Sequence, residues 1–91
     1  GINKKVLISG SEYANITAYF NNVEDGSIIN TTKGKMEIYL STSVSCDITA
    51  TAKIVSLNDI QRDVPFYYTV KSGTNKLTLT APNDSITIKN M

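Results

Sequence analysis

The sequence predicts an all-β fold, an immunoglobulin-like antiparallel β-sandwich of seven or eight strands, and three observations lead to this prediction. Apolar and polar residues alternate along most of the chain, which is the period-two pattern of strands with one buried face. Helical spacing of apolar residues is hard to find anywhere. Turn-forming residues recur about every ten positions, as in a sandwich or in a small β-barrel, which is the alternative architecture.

Each predicted strand has its own alternating segment. In "KMEIYLS", for example, Met36, Ile38 and Leu40 fall on one face and the residues between them on the other. A connection at 56–64 is predicted to hold a single helical turn or to cross between sheets. The alternation places the eight strands at about residues 4–9, 13–21, 27–31, 35–41, 44–56, 65–71, 76–81 and 85–90.

The longest predicted strand contains the single cysteine of the chain. Cys46 shares the inward phase with Val44, Ile48 and Ile54, so we expect it to be a small core residue. A nucleophilic thiol needs a neighbouring cation or base to lower its pKa. The nearest charged residue in the sequence, Asp47, is an anion, and this argues against a reactive thiol.

Length and composition limit the classes of function. The 91 residues predict one sandwich domain spanning 1–91, and a net charge of +1 disfavours nucleic acid as a partner. The chain has no histidine, which removes histidine-based acid–base chemistry and most zinc sites. We therefore expect no enzyme and no cofactor. No apolar run approaches the roughly 18 residues of a membrane-spanning helix.

The tyrosines are the candidate binding residues. Tyr13, Tyr19, Tyr39 and Tyr67 fall in the outward phase of their strands, and Asn15 lies close to the first two in sequence. Tyrosine offers a flat apolar ring with a polar tip, which suits recognition of proteins, peptides or sugars. The alternative is ordinary cross-strand pairing on a solvated face.

Four carboxylates in turn-like segments carry a calcium alternative. Glu24 and Asp25 lie in "NNVEDGS", and Asp59 and Asp63 lie in "NDIQRD". Neither segment has the ligand spacing of a dedicated calcium loop. Turn chemistry alone accounts for Asn, Asp and Gly at such positions, so the main prediction is that the chain holds no metal.

Two segments are similar in general pattern to strands of bacterial fimbrial and surface sandwich domains, namely "VSCDITATAKI" and "VPFYYTVKSG". The predicted function is a non-catalytic, extracellular structural or adhesive module of a bacterial surface assembly, like a fimbrial subunit or an adhesin domain. It would associate with a protein partner or with itself, through strand edges or a tyrosine-bearing face. The alternatives are a carbohydrate- or peptide-binding module and a small oligonucleotide-binding barrel.

Overall fold

The computed structural model describes residues 7–10, 15–71 and 73–90 of the chain. The all-β prediction is confirmed, because these residues form strands and turns and contain no helix. The predicted start of the first strand at residue 4, and Tyr13, lie outside the described residues. The strands are β1 (Leu7–Gly10), β2 (Ile16–Phe20), β3 (Ser27–Thr31), β4 (Met36–Leu40), β5 (Cys46–Leu57), β6 (Ile60–Arg62), β7 (Phe66–Val70) and β8 (Lys76–Asn90).

Strand pairing is mostly parallel, so the predicted antiparallel arrangement is wrong. Of the seven pairings among the described strands, five are parallel, and only β6 and β7 run antiparallel to their partner, β5. Parallel neighbours need a crossover connection. Here another strand supplies it: β2 lies between β1 and β3 in the chain, and β3 lies between β2 and β4. An immunoglobulin-like sandwich, which is built from antiparallel strands, is not confirmed.

The long strands β5 and β8 divide the mixed sheet into two halves. In the first half, β1, β3, the start of β8, the start of β5 and β7 lie side by side in that order. In the second half the order is β2, β4, the end of β8, the end of β5 and β6. No pairing among the described strands closes this path, so the alternative of a small barrel is not confirmed either.

A bend separates the two halves, and it changes which residues of β5 face inward. Between the paired positions Ala52–Ala81 and Ile54–Ser85, β5 has one residue and β8 has three, Pro82 to Asp84. This irregularity shifts the alternation, so that Ala52 and Val55 are buried and Ile54 is 46% exposed. The prediction that Ile54 lies in the inward phase is therefore wrong. The predicted strands 76–81 and 85–90 are therefore one strand, β8, with a bend at residues 82–84.

A tight turn replaces the long connection predicted at 56–64. Asn58 and Asp59 have positive φ angles of 50° and 68°, which is the conformation of a two-residue hairpin turn between antiparallel strands. Asn and Asp tolerate this conformation better than most residues because their short polar side chains bond locally. The chain therefore turns back at once into β6, which pairs with the end of β5.

Both halves bury their inner faces in one hydrophobic core. Ile29, Ile48 and Leu79 of the first half and Ile38 and Ile88 of the second are fully buried in the same cluster. A sheet without helices reaches this burial only when it folds over on itself, so we infer that the halves face one another. The prediction that Cys46 is a core residue is confirmed, since it is fully buried.

Candidate functional site

The outer edge of β2 is the backbone edge that faces away from β4. Among the described strands, β2 pairs with β4 alone. The Ile16 N–H donates to the Lys35 carbonyl (2.9 Å), and the Phe20 carbonyl accepts from the Ser41 N–H (3.0 Å), so these residues bond toward β4. Backbone groups of successive residues in a strand point to opposite sides. The N–H and C=O groups of Thr17 and Tyr19 therefore point to the outer edge.

Two tyrosine rings lie beside this edge on the outward face. Tyr19 of β2 and Tyr39 of β4 are register partners, and their rings stack with centroids 4.7 Å apart and an angle of 11° between planes. This distance matches the spacing of about 4.8 Å between neighbouring strands. Tyr19 is 49% exposed, and Tyr39 is partly buried. The stack therefore gives the edge a rigid aromatic surface.

A carboxylate fixes the inner ring of the stack. The Tyr39 hydroxyl donates a hydrogen bond of 3.0 Å to Oε2 of Glu37, two residues earlier on the same face of β4. This hydrogen bond is the main reason that the pKa of Tyr39 is raised above 10.0, and desolvation and the Glu37 charge act in the same direction. The interaction holds the phenol neutral and oriented.

The tyrosine pair begins a row that crosses the second half of the sheet. Tyr39 is the register partner of Lys89 on its other side, and the Lys89 ammonium lies 3.5 Å from the Asp59 carboxylate in the β5–β6 turn. Both ends of this ion pair are exposed, so it adds little stability. Aromatic character is therefore concentrated at the β2 end of the row and charge at the β6 end.

The structure brings together only part of the predicted tyrosine patch. Tyr19 and Tyr39 stack, and Asn15 precedes β2, where its Oδ1 accepts from the Lys35 N–H at 3.0 Å. Asn15 thus ties the start of β2 to the segment before β4. Tyr67 lies on β7 in the first half of the sheet, and Tyr13 lies outside the described residues.

Sequence reasoning placed Thr17 beside the tyrosines, but it did not single out Glu37 or the backbone groups of Thr17. For Glu37 a signal was present, because residues two apart on a strand share a face and Glu37 is two residues before Tyr39. For Thr17 the important groups are the backbone N–H and C=O. Their direction depends on which neighbour β2 pairs with, and the alternation of side chains does not encode this.

The structure does not bring three or more of the four candidate calcium carboxylates together. Asp25 Oδ1 accepts from the Lys76 N–H (2.9 Å) and Asp59 pairs with Lys89, so each of these carboxylates has a structural contact. Glu24 lies beside Asp25 in the β2–β3 connection, and Asp63 lies between β6 and β7. Across the described part of the chain, no three acidic or cysteine side chains group in a way that could hold a metal ion.

The Cys46 thiol is expected to be a poor nucleophile. Burial raises its pKa to about 11, and the negative charge of Asp47 acts in the same direction. Since the thiolate is the nucleophile, a pKa this high keeps the thiol protonated near neutral pH.

Comparisons with known proteins give no functional information. No protein-family description, curated protein or solved structure matches the chain. Within the residues that the structure describes, no helix has the length and apolar character needed to cross a membrane.

Proposed function

We propose that this chain is a non-catalytic structural or adhesive module that associates with a protein partner by strand addition at the outer edge of β2. The observation that carries the proposal is the coincidence of outward backbone groups on Thr17 and Tyr19 with the Tyr19–Tyr39 stack. An added strand would gain main-chain hydrogen bonds from the edge and side-chain contacts from the rings. An extracellular surface assembly of bacteria is the proposed setting, supported by the many uncharged Thr, Ser and Asn residues on the outward faces.

The composition of β2 supports this role. Proteins protect sheet edges from unwanted pairing with lysine, proline, bulges or very short strands. β2, Ile16–Phe20, contains no charged residue and no proline. At the opposite end of the second half, β6 has only three residues and includes Arg62, and Pro65 follows it. Of the two ends of the second half, the β2 edge is therefore the less protected.

The proposal can be tested with a display library of extended peptides selected on the immobilised protein. Binding peptides should shift the backbone amide NMR signals of Thr17 and Tyr19. Thr17→Pro removes an edge donor without removing a bond to β4, so it should weaken binding by at least about fivefold. Thr17→Val is the matched control, because it keeps the N–H group and should retain binding.

Two results would contradict the proposal. One is a set of selected peptides whose NMR shifts map away from β2. The other is equal affinity for the Thr17→Pro and Thr17→Val proteins, since the edge donor would then make no contribution. Both variants must first show the wild-type circular dichroism spectrum.

One observation on the first half of the sheet favours a second candidate, the binding of a neutral glycan. Successive register partners form an outward row of uncharged side chains, Ile28, Thr78, Thr49 and Tyr67. Tyr67, at the end of the row, is 69% exposed. A glycan array should then give hits that Tyr67→Ala abolishes and Tyr19→Ala leaves intact, whereas an array without hits would count against this candidate.

A further inference from the structure

We infer that the strand added at the outer edge of β2 is β2 of a second copy, paired antiparallel about a twofold axis at Ala18. This inference rests on the proposed edge association and names its partner. The outward backbone groups belong to Thr17 and Tyr19, which flank Ala18 symmetrically. A twofold axis at Ala18 therefore creates two equivalent pairs, in each of which Thr17 of one copy lies opposite Tyr19 of the other.

The backbone chemistry of this pairing is complete. In an antiparallel ladder, opposed residues whose groups point at each other exchange two hydrogen bonds. The two Thr17–Tyr19 pairs would therefore form four hydrogen bonds between the copies. Ala18 bonds toward β4, so the two Ala18 residues meet as a non-hydrogen-bonded pair with their Cα atoms about 4.5 Å apart. No outward donor or acceptor on Thr17 or Tyr19 is left without a partner.

The side chains also fit a symmetric pair. The inward residue on the axis is alanine, which is 4% exposed and small enough for the short Cα distance there. On the outward face, each Tyr19 ring would lie opposite a Thr17 side chain, and aromatic–β-branched pairs are among the favourable cross-strand combinations. β2 carries no charge that would repel its own copy.

A twofold pairing closes after two copies, unlike a head-to-tail contact. Pairing β2 of one copy with β6 or β7 of the next would be heterologous and would continue into filaments. The Arg62 and Pro65 that mark the β6–β7 end oppose such growth. The expected species is therefore a dimer with two symmetric edges joined.

Sedimentation equilibrium on three forms of the full chain tests the inference. Wild type should follow a monomer–dimer equilibrium that saturates at the dimer. The double variant Thr17→Lys and Tyr19→Lys places lysines opposite one another and should weaken the dimer at least tenfold. Thr17→Glu with Tyr19→Lys changes the same two positions, but it sets opposite charges across the axis and should restore the dimer.

Each alternative outcome overturns the inference. Wild type that stays monomeric to about 1 mM, species larger than a dimer, or a double-lysine variant as dimeric as wild type would each do so. Failure of the folded Glu/Lys variant to restore the dimer would rule out the antiparallel register. If wild type is monomeric while selected peptides still shift Thr17 and Tyr19, the edge proposal stands and only the identity of the partner is wrong.

Discussion

Tyr19 and Tyr39 lie directly opposite each other on β2 and β4 and stack, with 4.7 Å between ring centroids. The effects of removing the two rings on the free energy of unfolding should be coupled, because stacked aromatic pairs contribute about 0.5–1.5 kcal/mol of stability beyond their burial. We expect a double-mutant cycle of Tyr19→Ala and Tyr39→Ala, measured by urea unfolding, to give about 1 kcal/mol of coupling. Tyr67 lies in the other half of the sheet, so the cycle of Tyr19→Ala with Tyr67→Ala should be additive.

Glu37 should control the ionisation of Tyr39. The folded-state pKa of Tyr39 is raised above 10.0, so the stabilisation from this contact is complete below pH 10 and is lost as the pH rises above it. In Glu37→Gln, one tyrosine should ionise at lower pH in an absorbance titration at high pH. Gln61 lies on β6, at the opposite end of the second half of the sheet from β2 and β4, so Gln61→Glu serves as a control and should leave this titration unchanged. An unchanged curve for Glu37→Gln would contradict the assignment.

Because of the bend between the halves, we expect substitutions at two adjacent residues, Ile54 and Val55, to differ in their effect on stability. Ile54 is 46% exposed and Val55 is fully buried, although simple alternation predicts the reverse. Val55→Thr should lower the free energy of unfolding by about 1–3 kcal/mol, because it buries a hydroxyl group. Ile54→Thr should change it by less than about 1 kcal/mol. A larger loss for Ile54→Thr than for Val55→Thr would contradict the shifted phase.

The β5–β6 turn should prefer glycine at Asp59. This residue has a φ of 68°, and glycine adopts positive φ without steric cost. Asp59→Gly should raise the free energy of unfolding by several tenths of a kcal/mol, since the exposed ion pair with Lys89 contributes little. Asp59→Val should lower it by about 1 kcal/mol or more. Thermal unfolding of the two variants measures the contrast, and equal melting temperatures would argue against this turn conformation.

Cys46 should be inert in the folded chain. Its pKa is raised from 9.0 to about 11, so its contribution to stability is complete below pH 9 and is lost between pH 9 and 11. A difference of about two pKa units corresponds to roughly 2–3 kcal/mol. Between pH 9 and 11, the free energy of unfolding should therefore fall less for Cys46→Ala than for wild type. Rapid reaction of native Cys46 with a thiol reagent at pH 8 would show that the thiol is not buried.

The sequence predicted the positions of the strands well and their pairing poorly. Side-chain alternation depends only on the backbone of one strand, so β3 was predicted with its observed bounds. Strand pairing depends instead on which other strand lies alongside. Turns about ten residues apart are compatible both with antiparallel hairpins and with parallel strands joined by crossover connections. In this fold β3 pairs with β1 and β8 in parallel, while β2 and β4 cross to the other half.

The candidate site was predicted in part for the same reason. Alternation alone predicts that Tyr19 and Tyr39 lie on an outward face. Their stacking requires β2 and β4 to be neighbours in register, and an antiparallel arrangement gives no reason to expect this. Tyr67 lies in the other half of the sheet for the same reason. Its strand, β7, pairs with the start of β5, where Tyr67 is the register partner of Thr49.

Residue-resolved amide hydrogen exchange tests the central claim, that the outer edge of β2 is an association surface, most directly. In dilute protein, Thr17 and Tyr19 should exchange quickly, whereas Ala18 and Phe20, which bond toward β4, should be protected. In concentrated protein or with a selected peptide, protection should appear at Thr17 and Tyr19 as well. Protection of these two amides at every dilution, or exposure of both in the associated state, would contradict the claim.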